Sequence, residues 1–177
     1  MKPSIFLFLL LFVVATACAQ YKPVDKRSSV TFTIKNFGIN TGGSFSGLQG
    51  EVNFDNRDLT KAGVNVWVDA NSINTDNQTR DEHLRQDTYF DVKAYPRISF
   101  VSTRITVSGQ TGVLLIFGKL TIKNQTREIS FPFTATPDGN GYVFKGAFSI
   151  NRKDFGVGGT SIISNNLDVQ LSILATK

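Results

Sequence analysis

Cysteine, histidine, tryptophan and methionine are nearly absent, because the 177 residues contain only one of each. A single cysteine excludes an internal disulfide framework, and one cysteine with one histidine excludes a zinc cluster of the Cys/His type. Proline is also scarce, whereas 41% of the chain is hydrophobic and 19% is charged, which is typical of a globular domain and not of a disordered one. The scarcity of reactive side chains makes an enzyme the weaker functional hypothesis.

The common motifs of nucleotide, metalloprotease and serine-hydrolase chemistry are missing as well. The chain contains no G-x-x-x-x-G-K-[ST], G-x-G-x-x-G, H-E-x-x-H or G-x-S-x-G. Residues 42–47 are rich in glycine but lead into a strand pattern, which predicts a turn or bulge and not a phosphate cradle. The net charge of +5 is spread along the chain without a basic run. This distribution predicts a solvated surface and no nucleic-acid partner.

The one long apolar run covers residues 5–14, after a short basic start and before small residues that end at Ala19. This order is typical of a secretory signal peptide and predicts a signal segment over residues 1–19 and a mature domain over residues 20–177. Ten apolar residues cross about half of a bilayer core, so we expect no stable membrane insertion. We expect a periplasmic or secreted protein, and a lipoprotein anchored at Cys18 is the alternative.

Alternation of apolar and polar residues dominates the remaining chain and predicts antiparallel strands with one buried face. Several strands reach nine to twelve residues, which favours a tall barrel over a small sandwich. The sequence therefore predicts a single all-β domain, an eight-stranded antiparallel barrel. One short helix, over residues 77–86 with Thr75 or Asp76 as its cap, is expected between strands three and four. The predicted strands lie at about 28–37, 46–55, 62–70, 97–107, 113–122, 127–136, 142–150 and 165–176.

Phenylalanine is the abundant exception, with fifteen residues. An eight-stranded barrel is just wide enough either to fill itself with side chains or to hold one small ligand. An interior of Phe, Val and Ile offers few hydrogen bonds, so any ligand must be apolar over most of its length. The residues predicted to line such a tunnel are Phe32, Ile34, Val66, Val68, Phe100, Phe131, Phe133, Phe144 and Phe148.

Two irregular segments, residues 80–91 and 151–159, place arginine beside turn residues. Because a guanidinium group suits carboxylate, phosphate and carbonyl oxygens, the candidate contacts for a ligand head group are Arg80, Arg85 and Arg152. His83 is a candidate for the same end of the barrel. The alternative is structural: Arg80 would pair with a neighbouring acid and Arg152 with Asp154, which would hold the barrel end together.

Two other classes of function stay open at this point. A lipid-modifying enzyme would use His83 with Asp81 or Asp87 as acid and base. A barrel with a filled core would act as a protein-interaction module. We predict no catalytic residues, no metal ligands and no cofactor. A homodimer also stays open, because the sequence does not set the oligomeric state.

Three stretches resemble the YceI-like family. Residues 80–100 contain its Arg-Asp, His-Leu, Phe-Asp and Tyr-Pro-x-Ile-x-Phe elements in register, residues 118–123 its G-x-L-T-I strand, and residues 151–156 its R-x-D-F-G element. The resemblance implies a secreted or periplasmic, lipocalin-like barrel that encloses a long isoprenoid chain in an apolar tunnel, with no established catalysis. Residues 26–27 and Asn36 depart from relatives, which often have histidine there. We therefore expect a carrier or sequestering protein for an isoprenoid, quinone-like or similar lipid.

Overall fold

The structure, a computed structural model, describes residues 19–160 and 162–177, so the predicted signal segment lies outside it except for Ala19. Ten strands, one α-helix and four 3-10 helices form in the described part. The strands are β1 (Gln20–Pro23), β2 (Ser29–Asn36), β3 (Ile39–Phe45), β4 (Gln49–Asn53), β5 (Gly63–Asp69), β6 (Arg97–Val107), β7 (Leu114–Ile122), β8 (Gln125–Asp138), β9 (Gly141–Asn151) and β10 (Asn166–Thr176). The helix α1 spans Gln78–Leu84, and the 3-10 helices are Asp25–Arg27, Leu59–Lys61, Ala70–Ser72 and Arg152–Phe155.

The antiparallel sheet closes on itself through β10. One edge of β10 pairs with β9, and the other edge pairs first with β2, in the register Val169↔Phe32, and then with β1. A 3-10 helix separates β1 from β2, so these two strands act as halves of one barrel strand. Strands β3 and β4 act in the same way, because β3 pairs with β2 and β4 pairs with β1. The predicted eight-stranded antiparallel barrel is therefore confirmed.

Strand β3 is the main element that the sequence analysis missed. The predicted turn or bulge over residues 42–47 is wrong at its start, because Gly42 and Gly43 lie within β3 and pair with β2. Gly43 leaves room for an aromatic ring, since a Cβ atom built on it would overlap the ring of Phe32. Gly118 in β7 does the same for the ring of Phe100. Glycines weaken a strand pattern in the sequence, yet here they let aromatic rings lie across the sheet.

The predicted helix is confirmed as α1, between β5 and β6. The predicted caps are wrong, because the side chain of Asn77 accepts the hydrogen bond from the Arg80 N–H, at 2.9 Å. Residues 85–96 then lead to β6 and contact the segment after β9, where the Gly158 N–H donates to the Thr88 carbonyl at 2.8 Å. We call this end of the barrel, with the β2–β3 turn and residues 70–96, 152–160 and 162–165, the hairpin end.

Aromatic side chains close the opposite end of the barrel. Phe54 is almost fully buried and makes edge contacts with Tyr142 and Phe144, with ring centroids 5.1 and 5.3 Å away. Tyr21 of β1 contacts Tyr142 at 5.5 Å in the same geometry. Such pairs contribute about 0.5–1.5 kcal/mol each beyond their buried area. Within the described residues, no helix has the length and apolar character that crossing a membrane requires.

Candidate functional site

An apolar cavity of about 290 Å³ lies inside the barrel. This volume is near the lower limit of small-molecule pockets, which span roughly 300–1,000 Å³. The nine residues predicted from the sequence all border it, and their contact with a ligand stays a prediction. These residues are Phe32, Ile34, Val66, Val68, Phe100, Phe131, Phe133, Phe144 and Phe148.

Phenylalanine rings form much of the wall. Phe131 stacks on Phe148 with centroids 4.7 Å apart and contacts Phe100 at 5.8 Å. Phe100, Phe144 and Phe148 are only half-buried although they point into the barrel, because part of each ring borders empty space instead of packed atoms. A core packed to normal density leaves few voids larger than a water molecule. The interior therefore gives no support to the alternative of a filled barrel.

Strand β10 supplies a row of wall residues that the sequence analysis left out of the site. Leu167, Val169, Leu171 and Ile173 all border the cavity. This row extends about 20 Å along the strand. Period-two alternation in residues 165–176 placed these side chains on one face, but only the strand order shows that this face borders the cavity. A long, narrow, apolar space suits an extended hydrocarbon chain.

Arg80 borders the cavity at the hairpin end. Its Nε donates to the Thr75 hydroxyl at 2.7 Å, and its Nη2 donates to the Thr75 carbonyl at 2.7 Å. Asp81 accepts a hydrogen bond from the Thr75 N–H at 2.9 Å, so the arginine and the acid meet through this threonine. The Nη1 group of Arg80 has no hydrogen-bond partner in the part of the chain that the structure describes. Almost none of the accessible cavity surface is polar, so Arg80 lies at the edge of an apolar space.

Arg152 also borders the cavity, but it is only 3% exposed. Its Nε donates to the Ser164 carbonyl at 3.0 Å and its Nη1 to the Val157 carbonyl at 2.7 Å. Its Nη2 donates to the Ile163 carbonyl at 3.3 Å and to Asn165 Oδ1 at 3.2 Å. These partners are carbonyl and amide oxygens, whereas the predicted partner was Asp154. Burial lowers the pKa of Arg152 from its ordinary value, and the side chain holds the loop after β9 in place.

The other two residues predicted for the barrel end do not border the cavity. The Nε of Arg85 donates to the Asn71 carbonyl at 2.9 Å and its Nη2 to the Ile73 carbonyl at 3.1 Å, so it fixes the chain before α1. His83 is exposed, and its ring contacts the ring of Tyr89 edge-on, with centroids 5.3 Å apart. An acid–base role for His83 on a ligand in the cavity therefore has no support in this geometry.

Asn36 is a polar residue at the cavity that the sequence analysis did not assign to the site. Its side chain borders the cavity, and its Oδ1 atom is buried without a hydrogen-bond partner. A buried oxygen without a partner is unfavourable by about 1–3 kcal/mol. The Oδ1 atom is closed off from the cavity, so the side chain must turn before a ligand could reach it. The departure from relatives at this position was the one signal in the sequence that pointed to it.

Metal binding has no candidate centre in the described residues, since no group of three or more His, Cys, Asp or Glu side chains is placed to hold an ion there. The cavity therefore presents an apolar wall with Asn36, Arg80 and Arg152 at its hairpin end. Binding of an apolar chain is the chemistry that this arrangement suits.

Comparison with known families identifies the chain. The model of the YceI-like domain matches residues 21–175, which is nearly all of the barrel. The chain belongs to the YceI-like family. A UPF0312 protein of Yersinia pestis is 30% identical over 158 residues, which are 84% of this chain and 81% of that protein. A UPF0312 protein of Yersinia enterocolitica is 29% identical over the same share of each chain.

Solved structures of similar proteins share the barrel. The crystal structure of BcnA from Burkholderia cenocepacia is 26% identical, has a TM-score of 0.81, and matches 87% of this chain and 99% of its own. A polyisoprenoid binding domain from Saccharophagus degradans, implicated in plant cell wall breakdown, is 15% identical, with a TM-score of 0.72 over 88% of this chain and 97% of its own. At that identity the second likeness shows the YceI-like fold alone.

Proposed function

We propose that this YceI-like protein is an exported binding protein that holds an isoprenoid or a similar long apolar lipid inside its barrel. Its role would be that of a carrier, a store or a sequestering agent. The observation that carries this proposal is the long apolar cavity enclosed by the strands. Each buried methylene contributes about 0.8 kcal/mol, so a long tail binds tightly without a polar anchor. The polyisoprenoid binding domain with the same fold supports this choice of ligand class.

Export is part of the proposal and is supported by the signal-like pattern of residues 1–19. A periplasmic or secreted location suits a domain that contains no cysteine after residue 18 and is held together by its core. A lipoprotein attached through Cys18 would hold the same barrel near a membrane. Intact mass of the exported protein distinguishes a chain that begins at Gln20 from one that begins at a lipidated Cys18.

The polar head of the ligand is proposed to lie at the hairpin end. Two features support this orientation: Asn36, whose Oδ1 atom is buried without a partner, and Arg80, which carries the charge, are both residues that border that end of the cavity. The opposite end is closed by tyrosine and phenylalanine rings around Phe54, which suit the end of a hydrocarbon tail. An anionic or carbonyl head would accept a hydrogen bond from Arg80, and a hydroxyl head would donate one to Asn36 once that side chain turns toward the cavity.

The test compares the lipid content of two tryptophan variants on β10. Val169 points into the cavity, whereas Gln170 is exposed on the outer face. Val169→Trp fills the tunnel and is expected to lose most of the co-purified lipid, while Gln170→Trp keeps it. Native mass spectrometry and organic extraction of the purified proteins measure this content. A wild-type protein without lipid that also fails to bind added polyprenol, or equal lipid in both variants, would contradict the proposal.

A further inference from the structure

Three large apolar side chains are exposed together at the hairpin end. Phe37 and Ile39 lie in the β2–β3 turn region and are 76% and 72% exposed, and Ile162 in the segment before β10 is 75% exposed. The Ser164 N–H donates to the Lys35 carbonyl at 2.9 Å, which joins the two segments. Single exposed apolar residues are ordinary on protein surfaces, but a group at one end requires an explanation. We call Phe37, Ile39 and Ile162 the apolar tip.

The backbone at Phe37 makes its exposure more unusual. Asn36 pairs with Ile39, so Phe37 and Gly38 form a two-residue hairpin turn, with φ angles of 49° and 79°. Such a turn prefers Asn-Gly, because both central residues have positive φ. A bulky residue with positive φ is unfavourable and occurs mostly where function requires it. Neither local preference nor burial within the barrel explains why phenylalanine stands here.

The apolar tip is continuous with the wall of the tunnel. Ile34 and Asn36, just before Phe37, border the cavity, and so does Ile163, next to Ile162. Side chains on both segments therefore lead from the inside of the barrel to its outer surface. A long apolar ligand that enters or leaves at this end would meet these side chains before it meets water.

We propose that the apolar tip inserts into a lipid bilayer surface and places this end of the tunnel against it. The inference rests on the proposed function, because a water-insoluble lipid ligand resides in a membrane when it is outside the barrel. Within residues 35–40 the charged side chain is Lys35, which is exposed, whereas the exposed acids Asp76, Glu82 and Asp87 of this end lie outside the two tip segments. On the second segment the exposed Lys153 and Asp154 balance each other. Apolar side chains beside a cation are the pattern of interfacial membrane contacts.

The test uses Phe37→Asn in the full mature protein. Asparagine fits the turn better than phenylalanine, so thermal stability is expected to stay the same or rise, while insertion loses an aromatic ring. We expect binding to vesicles of phosphatidylcholine and phosphatidylglycerol, measured by flotation, to weaken about tenfold or more. The matched control is Val107→Asn, because Val107 is 72% exposed at the opposite end of the barrel. This variant is expected to bind vesicles as the wild type does.

Two results would overturn the membrane contact. One is a wild-type protein that does not float with these vesicles, which would leave the tip to another partner such as a protein. The other is vesicle binding that does not depend specifically on Phe37. This would be seen either as equal binding by the wild type and Phe37→Asn or as an equal loss of binding in Phe37→Asn and Val107→Asn. Lipid extraction from the same samples separates the two proposals. A protein that floats through Phe37 but carries no lipid supports the membrane contact and contradicts the carrier function, whereas lipid without flotation contradicts the membrane contact alone.

Discussion

At the scale of single residues, the two arginines on the cavity wall differ in how the protein uses their donors. Arg152 gives its nitrogens to oxygens of the loop that precedes β10 and is buried. Among the residues that the structure describes, Arg80 donates only to Thr75, through two nitrogens, and its third nitrogen is left without a hydrogen bond although the residue borders the cavity. A residue whose donors are all engaged by its own loop serves the fold, whereas a donor left at a cavity is available to a ligand. We therefore expect substitution of Arg152 to affect stability and substitution of Arg80 to affect ligand binding.

We expect Arg152→Gln to reduce the free energy of unfolding by about 2–4 kcal/mol, because buried carbonyl oxygens lose a charged donor. Arg80→Gln is expected to fold normally but to lose about tenfold in its preference for a polyprenyl pyrophosphate over the matching polyprenol. Urea unfolding and competition binding measure the two effects. Lys153→Gln, on an exposed side chain, is the control for Arg152 and is expected to change stability by less than about 0.5 kcal/mol. If Arg80→Gln loses stability and keeps the preference, its role is structural.

At the scale of elements, the hairpin of β2 and β3 depends on a glycine that faces an aromatic ring. A Cβ atom on Gly43 would overlap the Phe32 ring and crowd the Thr75 methyl group. We expect Gly43→Ala to reduce the free energy of unfolding by about 1–3 kcal/mol and to lower lipid capacity, because the displaced ring moves toward the cavity. At Gly42 the nearest atom to a new Cβ lies at 3.6 Å, an ordinary contact. Thermal unfolding of Gly42→Ala should therefore match the wild type, and an equal loss in both variants would contradict the packing argument.

Elements also differ in how far the sequence predicted them. Period-two alternation found eight barrel strands, and the same pattern placed Phe131, Phe144 and their neighbours on the cavity wall. Strand β3 was missed because Gly42 and Gly43 carry no side chain to show the period. The apolar wall could be predicted because burial depends on side-chain type, which the sequence shows directly. The partners of Arg80, Arg85 and Arg152 could not be predicted, since each arginine binds backbone carbonyls whose positions depend on the tertiary fold.

At the scale of the whole molecule, an unfilled interior makes stability depend on the ligand. A ligand that binds only the folded state at a hundred times its Kd contributes about 2.7 kcal/mol. For a domain of this size that corresponds to a rise in Tm of about 5–10 °C. We expect the delipidated protein to melt lower by this amount and to recover when polyprenol is added, as differential scanning calorimetry would show. Val169→Trp should melt at the same temperature with and without polyprenol, and a recovery in that variant would show that the lipid acts outside the tunnel.

The position of β10 between β9 and the β1–β2 pair also has a consequence for how the chain folds. Its contacts with the start of the barrel join residues far apart in sequence, as in the hydrogen bond between Ser28 and Leu174, 146 positions apart. Barrels dominated by such non-local pairing fold slowly, on the scale of milliseconds to seconds. Until β10 docks, β2 and β9 each have an open edge that can pair with another chain. The tunnel itself does not exist before that step, so the nascent barrel acquires its binding capacity and loses its tendency to aggregate in the same kinetic event.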